Sequence, residues 1–467
     1  MTDDMLWISS IPPIVALGII LWKKEVIGAL LITIFVSEFL ILLTAGDATS
    51  LSLLPMSIVQ TMERIIGVVS IENNARILGF SLLIGVLMSY LQTSGGIAAT
   101  VYLLINKNII TNRKRAGIAT VVLSSLIFVS TYVSSITTGI LSRGIFDKFG
   151  MSRARLAYMI DSTAAPICLI LLFNSFGAYL LALIDGYEFE QTGISILMGT
   201  VVYNFYAFIA LAMVYYTAFS DKVYGPMKYS EEKLNSSSKL EEVEVTSTKA
   251  RYMVIPVVIL VSSVFGVLYW TGNGEITRGS GSKAVFYAIG FSALVAYLMM
   301  IFGLKKNHKD MVKDAFTGIS GILPLFFIIM FSITLGASLK ELGTGPFVAS
   351  LIDDYLPVYF IVPFFFLAGG VISFATGSSF GAFAILIPMA APLIHSLGIP
   401  PSFILAAVIG GGTFGDHSSP ISDTSVIASL SAGCDHLEHV KTQLPYTMVG
   451  GAIAFILYLI VSFTVLS

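Results

Sequence analysis

The sequence predicts an all-α polytopic membrane protein with two inverted-topology repeats, broken helices, re-entrant hairpins and roughly 10–13 transmembrane segments. Three observations predict it: an apolar composition, a series of long uncharged segments, and internal similarity. Of the 467 residues, 56% are hydrophobic and 12% are charged, whereas about a quarter of a soluble domain is charged. Such a chain has too little polar surface for water, so a lipid bilayer is its expected environment.

Charge and cysteine content disfavour several other classes of protein. The formal net charge is −2 and there is no basic patch, so no nucleic-acid partner is expected. Cys168 and Cys434 lie far apart in sequence and suggest neither a disulfide framework nor a CxxC pair. The acidic start MTDDMLW lacks the positive region of a signal peptide, so the first apolar segment is expected to remain as a helix.

The first part of the chain alternates apolar segments with short charged loops. The predicted segments are residues 5–22, 26–45, an amphipathic connector at 55–70, 77–92, a continuation from Gly95–Gly96 to 105, 116–142, 158–180 and 194–219. Lys23 and Lys24 place the first loop inside, and hence the N-terminus outside.

Residues 220–250 are rich in Glu, Lys and Ser and predict a flexible cytoplasmic linker, because they have too few apolar side chains to build a core. The linker separates a first repeat, residues 1–219, from a second, residues 251–467. The second part begins with predicted helices at 252–270 and 284–304.

Three motifs recur in the same order in the two parts. YLQTSGG (90–96) is echoed by SLKELGTG (338–345), STYVSSITTG (130–139) by FATGSSFG (374–381), and DSTAAP (161–166) by DHSSP (416–420). A basic loop follows the first helix of one part and the second helix of the other, which gives the parts opposite topologies. Inverted repeats with interrupted helices indicate a secondary transporter whose site lies near the membrane midplane.

The interrupted helices contain the candidate site. Asp161 and Asp416 lie in predicted helices that Pro166 and Pro420 are expected to break a few residues later. A break frees backbone N–H and C=O groups that lipid cannot satisfy. Carboxylates, carbonyls and hydroxyls are the oxygen ligands of hard cations, and a bound proton competes for the same oxygens. The candidate cation- and proton-binding residues are Asp161, Ser162, Thr163, Asp416, Ser418, Ser419 and Asp423, closed by Ser130, Thr131, Thr376 and Ser378 at the hairpin tips.

These candidate residues differ in how strongly they indicate a functional role. A single hydroxyl between membrane helices is more often a packing residue than a ligand, whereas a charge at the bilayer centre costs about 3 kcal/mol and suggests a function. Asp161 and Asp416 therefore stand out, and we expect them to face each other. His417 is either a proton partner or gate, or a neutral wall residue.

A second cluster, DHLEHVK (435–441), contains an HxxH pattern. A zinc site would need a third protein ligand, and the stretch directly precedes the last apolar helix. We therefore expect Asp435, His436 and His439 to form an interfacial cap or a gating ion pair, with no transition metal and no enzyme activity.

The segment from Gly415 to Tyr446 resembles the NhaC-type sodium/proton antiporter family. The matching residues are Gly415, Asp416, Ser419, Pro420, Ile421, Ser422, Asp423 and Thr424, then Asp435, His436, His439, Val440, Thr442, Gln443, Pro445 and Tyr446. The resemblance implies the ion-transporter architecture, with broken hairpins, elevator-like movement and frequent homodimers. It also implies relatives that exchange malate and lactate.

The expected function is exchange of Na⁺, and Li⁺ as a second cation, for H⁺ across the cell membrane by alternating access, with no cofactor beyond the transported ions. Two alternatives remain. One is an Na⁺- or H⁺-coupled carrier of small organic acids or amino acids, in which the hairpin tips hold the substrate carboxylate. The other is an intramembrane metalloenzyme built on HxxH, which the repeats do not favour.

Overall fold

Nineteen α-helices form the described part of the chain in a computed structural model. The structure describes residues 3–23, 25–45, 52–96, 99, 110–128, 130–172, 174–187, 189–233, 248–344, 347 and 357–466. The helices are α1 (Ile11–Lys23), α2 (Val26–Ala45), α3 (Leu53–Ser70), α4 (Glu72–Thr93), α5 (Arg113–Leu126), α6 (Thr131–Lys148), α7 (Arg153–Ile170), α8 (Ser175–Asp185), α9 (Gly193–Tyr203), α10 (Phe205–Ser220), α11 (Pro226–Lys233), α12 (Arg251–Thr271), α13 (Gly281–Leu304), α14 (His308–Glu341), α15 (Ile361–Thr376), α16 (Ser379–Leu397), α17 (Pro401–Ser418), α18 (Asp423–Ala432) and α19 (His436–Val465). The predicted continuation of a helix from Gly96 to residue 105 lies largely outside the described residues.

The helices confirm the predicted fold class. Within the described residues, nine are long and apolar enough to cross a membrane, and α9 with α10 makes a tenth span bent by 47°. The bend splits the single span predicted at 194–219, because the Asn204 side chain accepts a hydrogen bond from the amide of Ala207 and caps α10. Ten spans lie at the lower end of the predicted range.

The two repeats keep a constant spacing of 248 residues through their central elements. The helices that begin at Arg113, Thr131, Arg153 and Ser175 correspond to those that begin at Ile361, Ser379, Pro401 and Asp423. In each repeat, two helices form a hairpin and the next pair forms one interrupted helix. The hairpins are α5–α6 and α15–α16, and the interrupted helices are α7–α8 and α17–α18.

This spacing corrects the predicted alignment of the aspartate motifs. Pro166 lies inside α7, and the interruption falls at residues 171–174, where the Asn174 side chain caps α8. The second interruption falls at residues 419–422 and includes Pro420, as predicted. Asp161 therefore corresponds to Ile409, and Asp416 corresponds to Cys168. The aspartates do not occupy equivalent positions, because the two motifs stand in different registers relative to the interruptions.

Close helix approach holds α18 against the first hairpin. A methyl group on Gly139 of α6 would lie 2.4 Å from the Ser431 hydroxyl, so only a glycine fits there. The Arg143 side chain donates to the Ser431 carbonyl at 2.5 Å and that of Arg153 to the Gly433 carbonyl at 3.3 Å. These arginines satisfy the C-terminal end of α18, where the helix dipole favours positive charge.

The segment between the repeats is partly helical and docked. Helix α11 lies within the predicted linker, while residues 234–247 of that linker lie outside the described residues. The fully buried Arg155 of α7 pairs with Asp221 at 2.7 Å and with Glu231 at 3.7 Å. The Tyr446 hydroxyl of α19 accepts from the Tyr224 amide at 2.7 Å. The segment therefore joins the ends of α7 and α19.

Candidate functional site

The tip of the second hairpin meets the interruption between α17 and α18. Gly377 at the tip has a φ of +69°, and a methyl group there would lie 2.3 Å from the Ile421 carbonyl. The Asp423 amide donates to the Gly377 carbonyl at 3.3 Å, and the Ser419 hydroxyl donates to the Phe374 carbonyl at 2.7 Å. A glycine is required here by both the backbone conformation and the close contact.

Both hairpin tips and Asp423 line one cavity of about 370 Å³. The polar part of its wall consists of Ser130, Thr131, Tyr132, Ser378 and Asp423. The apolar part comes from α4, α14 and α16 and consists of Ile84, Met88, Ile322, Pro324, Leu325, Ile328 and Phe380, together with Gly321.

Within the cavity wall, the carboxylate of Asp423 is exposed and accepts a hydrogen bond from the Tyr132 hydroxyl at 2.5 Å. Ser130 and Ser378 occupy the N-cap positions of α6 and α16, but neither hydroxyl caps its own helix. The two N-terminal helix ends therefore present their hydroxyls and their positive dipole ends to the cavity.

Asp416 lies behind Asp423 and is 1% exposed. Its Oδ1 accepts a hydrogen bond from the Ser422 hydroxyl at 2.6 Å, and the Ser379 hydroxyl at the start of α16 also interacts with the carboxylate. A buried carboxylate held by hydroxyls can bind either a proton or a cation in place of water.

Asp161 belongs to a different set of contacts. It is 1% exposed, and its Oδ2 accepts from the Ser425 hydroxyl at 2.7 Å and from the Gln443 amide at 2.7 Å. The His439 Nε2 lies 3.4 Å from the same oxygen. The carboxylate thus joins α7, α18 and α19.

One turn at the start of α18 connects the two buried aspartates. Ser422 contacts Asp416 and Ser425 contacts Asp161, while the Ser425 amide donates to the Ser422 hydroxyl at 3.2 Å. The two aspartates, which the sequence predicts to face each other, are thus connected through two serines.

His417 lies next to the Asp161 cluster. Its Nδ1 is 3.2 Å from the Tyr206 hydroxyl, and its carbonyl accepts from the Gln443 amide at 2.8 Å. Three buried polar atoms here have no hydrogen-bond partner among the described residues: His417 Nε2, His439 Nδ1 and Gln443 Oε1.

The remaining predicted hydroxyls are engaged elsewhere. Thr163 donates to the Met159 carbonyl, Thr376 to the Ile372 carbonyl, and Ser418 to the Phe414 carbonyl and to Thr447. Ser162 lines a separate cavity of about 10 Å³ together with Tyr158, Tyr206, Ala210, Met213, Tyr446, Thr447 and Gly450. None of these four residues lines the cavity that contains Asp423.

The HxxH pattern does not converge on one point. His436 contacts the Ser429 hydroxyl at 3.1 Å and the Pro420 carbonyl at 2.7 Å, whereas His439 faces Asp161. Asp435 caps α19 by accepting from the Glu438 amide at 2.9 Å. The described residues contain no cluster of three His, Cys, Asp or Glu residues able to hold a metal ion.

Several site residues were not singled out as candidates from the sequence: Tyr132, Tyr206, Ser422, Ser425 and Gln443. The spacing of His439 and Gln443, four residues apart, was the available signal, because it places both on one face of a helix. For the serines and tyrosines the sequence offered no comparable signal.

Comparison with known proteins decides the family. A sequence model described as the Na⁺/H⁺ antiporter family matches residues 157–463. The chain belongs to the Na⁺/H⁺ antiporter family. The resemblance noted at Gly415–Tyr446 is thereby confirmed, and the fold and family are those of a transporter.

Relatives of this antiporter-family protein differ in what their names say they carry. An uncharacterized protein of Haemophilus influenzae is 30% identical over 84% of this chain and 80% of its own length. The arginine/ornithine antiporter ArcD of Halobacterium salinarum is 31% identical over 42% of this chain and 40% of its own length. The Na⁺/H⁺ antiporter NhaC of Alkalihalophilus pseudofirmus is 30% identical over 34% of this chain and 35% of its own length.

The fold of the antiporter-family protein is also found among solved structures. The crystal structure of the YdaH transporter of Alcanivorax borkumensis is similar, with a TM-score of 0.59 over 88% of this chain and 90% of that one. At 14% identity, this likeness concerns the fold alone.

Proposed function

We propose that the protein exchanges Na⁺ for H⁺ across the cell membrane by alternating access, with residues 220–250 in the cytoplasm and the N-terminus outside. The observation that carries the proposal is the buried Asp416 directly behind the cavity-facing Asp423, where both hairpin tips meet. Na⁺ entering from the cavity finds two carboxylates and the hydroxyls of Ser422 and Ser379. Na⁺ and H⁺ are cargo, and the proposal requires no resident cofactor.

Competition at Asp416 couples the two ions in this proposal. Its carboxylate accepts either a proton or Na⁺, and the bound species neutralises the charge while it is away from water. Only a site in which Asp416 is loaded then crosses between the two faces of the membrane. We expect a homodimer, as the family resemblance implies.

Everted membrane vesicles test the exchange. With a proton gradient established, added Na⁺ is expected to dissipate the gradient in vesicles that contain the protein, and Asp416→Asn is expected to abolish this response. Asp310→Asn, at an exposed carboxylate in the first turn of α14, is the matched control and should respond like the wild type. Full Na⁺-dependent dissipation by Asp416→Asn would remove Asp416 from the mechanism.

A second candidate function is favoured by the size of the cavity. About 370 Å³ is far more than one Na⁺ fills and lies in the range of about 300–1,000 Å³ typical of small-molecule sites. The helix ends at Ser130 and Ser378 suit a carboxylate, and Asp423 suits an ammonium group. Among the residues that the structure describes, no basic side chain lines the cavity. These features favour an amino acid over a dicarboxylate, and ArcD is a relative named for amino-acid exchange.

Uptake into proteoliposomes distinguishes the two functions. Labelled amino acids and labelled malate are offered in parallel with ²²Na⁺, each against a pH gradient. Na⁺/H⁺ exchange predicts saturable ²²Na⁺ flux that needs no organic substrate. Flux that appears only when an amino acid is present would establish the second function instead.

A further inference from the structure

We propose that the cluster around Asp161 is a separate internal site that carries the exchanged proton, whereas Asp416 and Asp423 bind the cation. The inference rests on the proposed exchange and revises where its proton is held: on the Asp161 cluster instead of on Asp416, with the two sites linked through Ser422 and Ser425. The cluster consists of Asp161, His417, Ser425, His439 and Gln443, with Tyr206 at its edge. The proton enters from water, is held on these groups and returns to water on the opposite face.

A cation in the cavity has better access to Asp423 and Asp416 than to Asp161. Asp423 faces the cavity and Asp416 lies directly behind it, but Asp161 is absent from the cavity wall and its Oδ2 is already surrounded by Ser425, Gln443 and His439. Hard cations prefer several oxygen ligands, whereas two of these neighbours present nitrogen donors. A proton needs neither a cavity nor several oxygen ligands.

The Asp161 cluster also contains buried polar atoms without hydrogen-bond partners among the described residues. The Gln443 amide donates to both Asp161 and the His417 carbonyl, which fixes its orientation and leaves Oε1 facing away without a donor. With His417 Nε2 and His439 Nδ1, three buried polar atoms of one cluster have no partner among the described residues. Leaving a buried polar group unpaired is costly, so the cluster favours internal water.

A small cavity lies at the edge of the cluster and is bordered by Tyr206, although not by the three residues with unpaired atoms. The small cavity of about 10 Å³ is lined by Ser162, which follows Asp161, and by Thr447, one turn after Gln443. A cavity of roughly this volume holds a single water molecule. Its wall also includes Tyr206, which contacts His417, and Tyr446, which contacts Tyr224 in the segment between the repeats. In this proposal, a water in the cavity links Tyr206, at the edge of the cluster, to Tyr446 and the docked segment.

The titratable groups around Asp161 all come from helices of the cluster. They are Tyr158 on α7, Tyr206 on α10, Asp416 and His417 on α17, Asp423 on α18 and His439 on α19. His439 is the imidazole nearest the carboxylate, so it is the residue that we assign to hold the proton, with Asp161 as its counter-ion at 3.4 Å. An N–H bond forms on the imidazole when a proton is taken up from water, and the same bond breaks when the proton returns to water.

Two transport modes measured on the same proteoliposomes test the division. Exchange of ²²Na⁺ for unlabelled Na⁺ at equal pH requires only the cation site, whereas Na⁺-driven proton flux, followed with an enclosed pH-sensitive dye, requires both sites. For Asp161→Asn and His439→Gln we expect Na⁺/Na⁺ exchange to be retained and proton flux to fall by about 10²-fold, the scale of losing a general acid–base group. Asp416→Asn should lose both modes.

The controls separate failure of this inference from failure of the proposed function. Asp314→Asn, at a carboxylate paired with Lys306, should keep both modes, and size-exclusion and melting profiles verify that each variant is folded. If folded Asp161→Asn and His439→Gln lose both modes together, or keep both, the inference is wrong. If the wild type shows neither mode with Na⁺ or Li⁺, the proposed function itself fails. Should Asp161→Asn not fold, His439→Gln and Gln443→Leu decide.

Discussion

At the scale of single residues, the buried charges of this protein divide into two kinds. Asp416 and Asp161 are held mainly by hydroxyl, amide and imidazole groups. Glu38 is instead bound by the Arg64 guanidinium at 2.8 Å and by the Ser338 hydroxyl at 2.6 Å. A carboxylate neutralised by arginine is already paired, so we interpret Glu38 as structural.

Glu38→Gln is therefore expected to destabilise the protein while sparing its transport chemistry. Removing one partner of a buried ion pair costs about 3–5 kcal/mol, although Arg64 keeps its second partner Glu341 at 2.6 Å, which places the loss at the lower end. The measurement is the apparent melting temperature in detergent. Glu72→Gln is the control, because Glu72 pairs with Arg76 at the surface and such pairs contribute little. Equal melting of the two variants would contradict the structural role.

At the scale of secondary-structure elements, α18 is the helix whose position matters most. Its first turn supplies the contacts to both buried aspartates, and its last turn is fixed by Arg143, Arg153 and the contact between Gly139 and Ser431. Movement at one end therefore displaces the serines at the other, since a helix of ten residues behaves as a rigid rod.

Gly139→Ala is expected to lower both thermal stability and Na⁺-dependent transport. The added methyl would lie 2.4 Å from the Ser431 hydroxyl, and overpacking of this kind costs about 1–3 kcal/mol. Gly144→Ala on the same helix is the matched control, because nothing lies within 4 Å of its added methyl and alanine favours helix. Melting curves and vesicle assays report both effects, and an equal loss in the two variants would exclude the contact as its cause.

The elements also show how far sequence alone reaches. The hairpin tips at Ser130 and Ser378 were predictable, because a run of hydroxyls beside a glycine interrupts an otherwise uncharged span. The interruption in the first repeat was not predictable, because Pro166 is accommodated inside α7. The residue that caps the next helix is Asn174, and nothing in the local sequence pattern distinguishes it. That error shifted the alignment of the aspartates. The role of Gln443 was hidden for another reason, since only packing between α7 and α19 brings it to Asp161.

At the scale of the whole molecule, the segment between the repeats is part of the packed structure. Arg113, Arg155 and the Ser152 amide contact Asp221 and Glu231, and these contacts hold α11 against the end of α7. The same segment reaches α19 through Tyr224 and Tyr446. Docking of α11 thus stabilises α7 and α19, two of the helices that contribute to the Asp161 cluster.

Glu231→Gln is expected to loosen this docking. Without the Glu231 carboxylate, Arg113 and the buried Arg155 keep Asp221 as their shared acidic partner. Residues 221–233 should therefore exchange amide hydrogens faster than in the wild type. Hydrogen–deuterium exchange of the detergent-purified protein measures the change peptide by peptide. Glu232→Gln alters the neighbouring, exposed residue and should leave the exchange unchanged. Unaltered exchange in Glu231→Gln would show that the docking does not depend on this ion pair.

The 248-residue spacing has one more consequence, for the two sides of the membrane. Asp161, Asp416 and Asp423 stand where the other repeat has Ile409, Cys168 and Ser175. If inverted repeats interchange their shapes during transport, the backbone of the inward-facing state mirrors that of the outward-facing state, but the charges do not. The same three carboxylates then meet different surroundings on each side. The pseudo-symmetry of the backbone therefore does not make the ion affinities of the two faces equal. The placement of three side chains can give the protein a higher ion affinity on one side of the membrane than on the other.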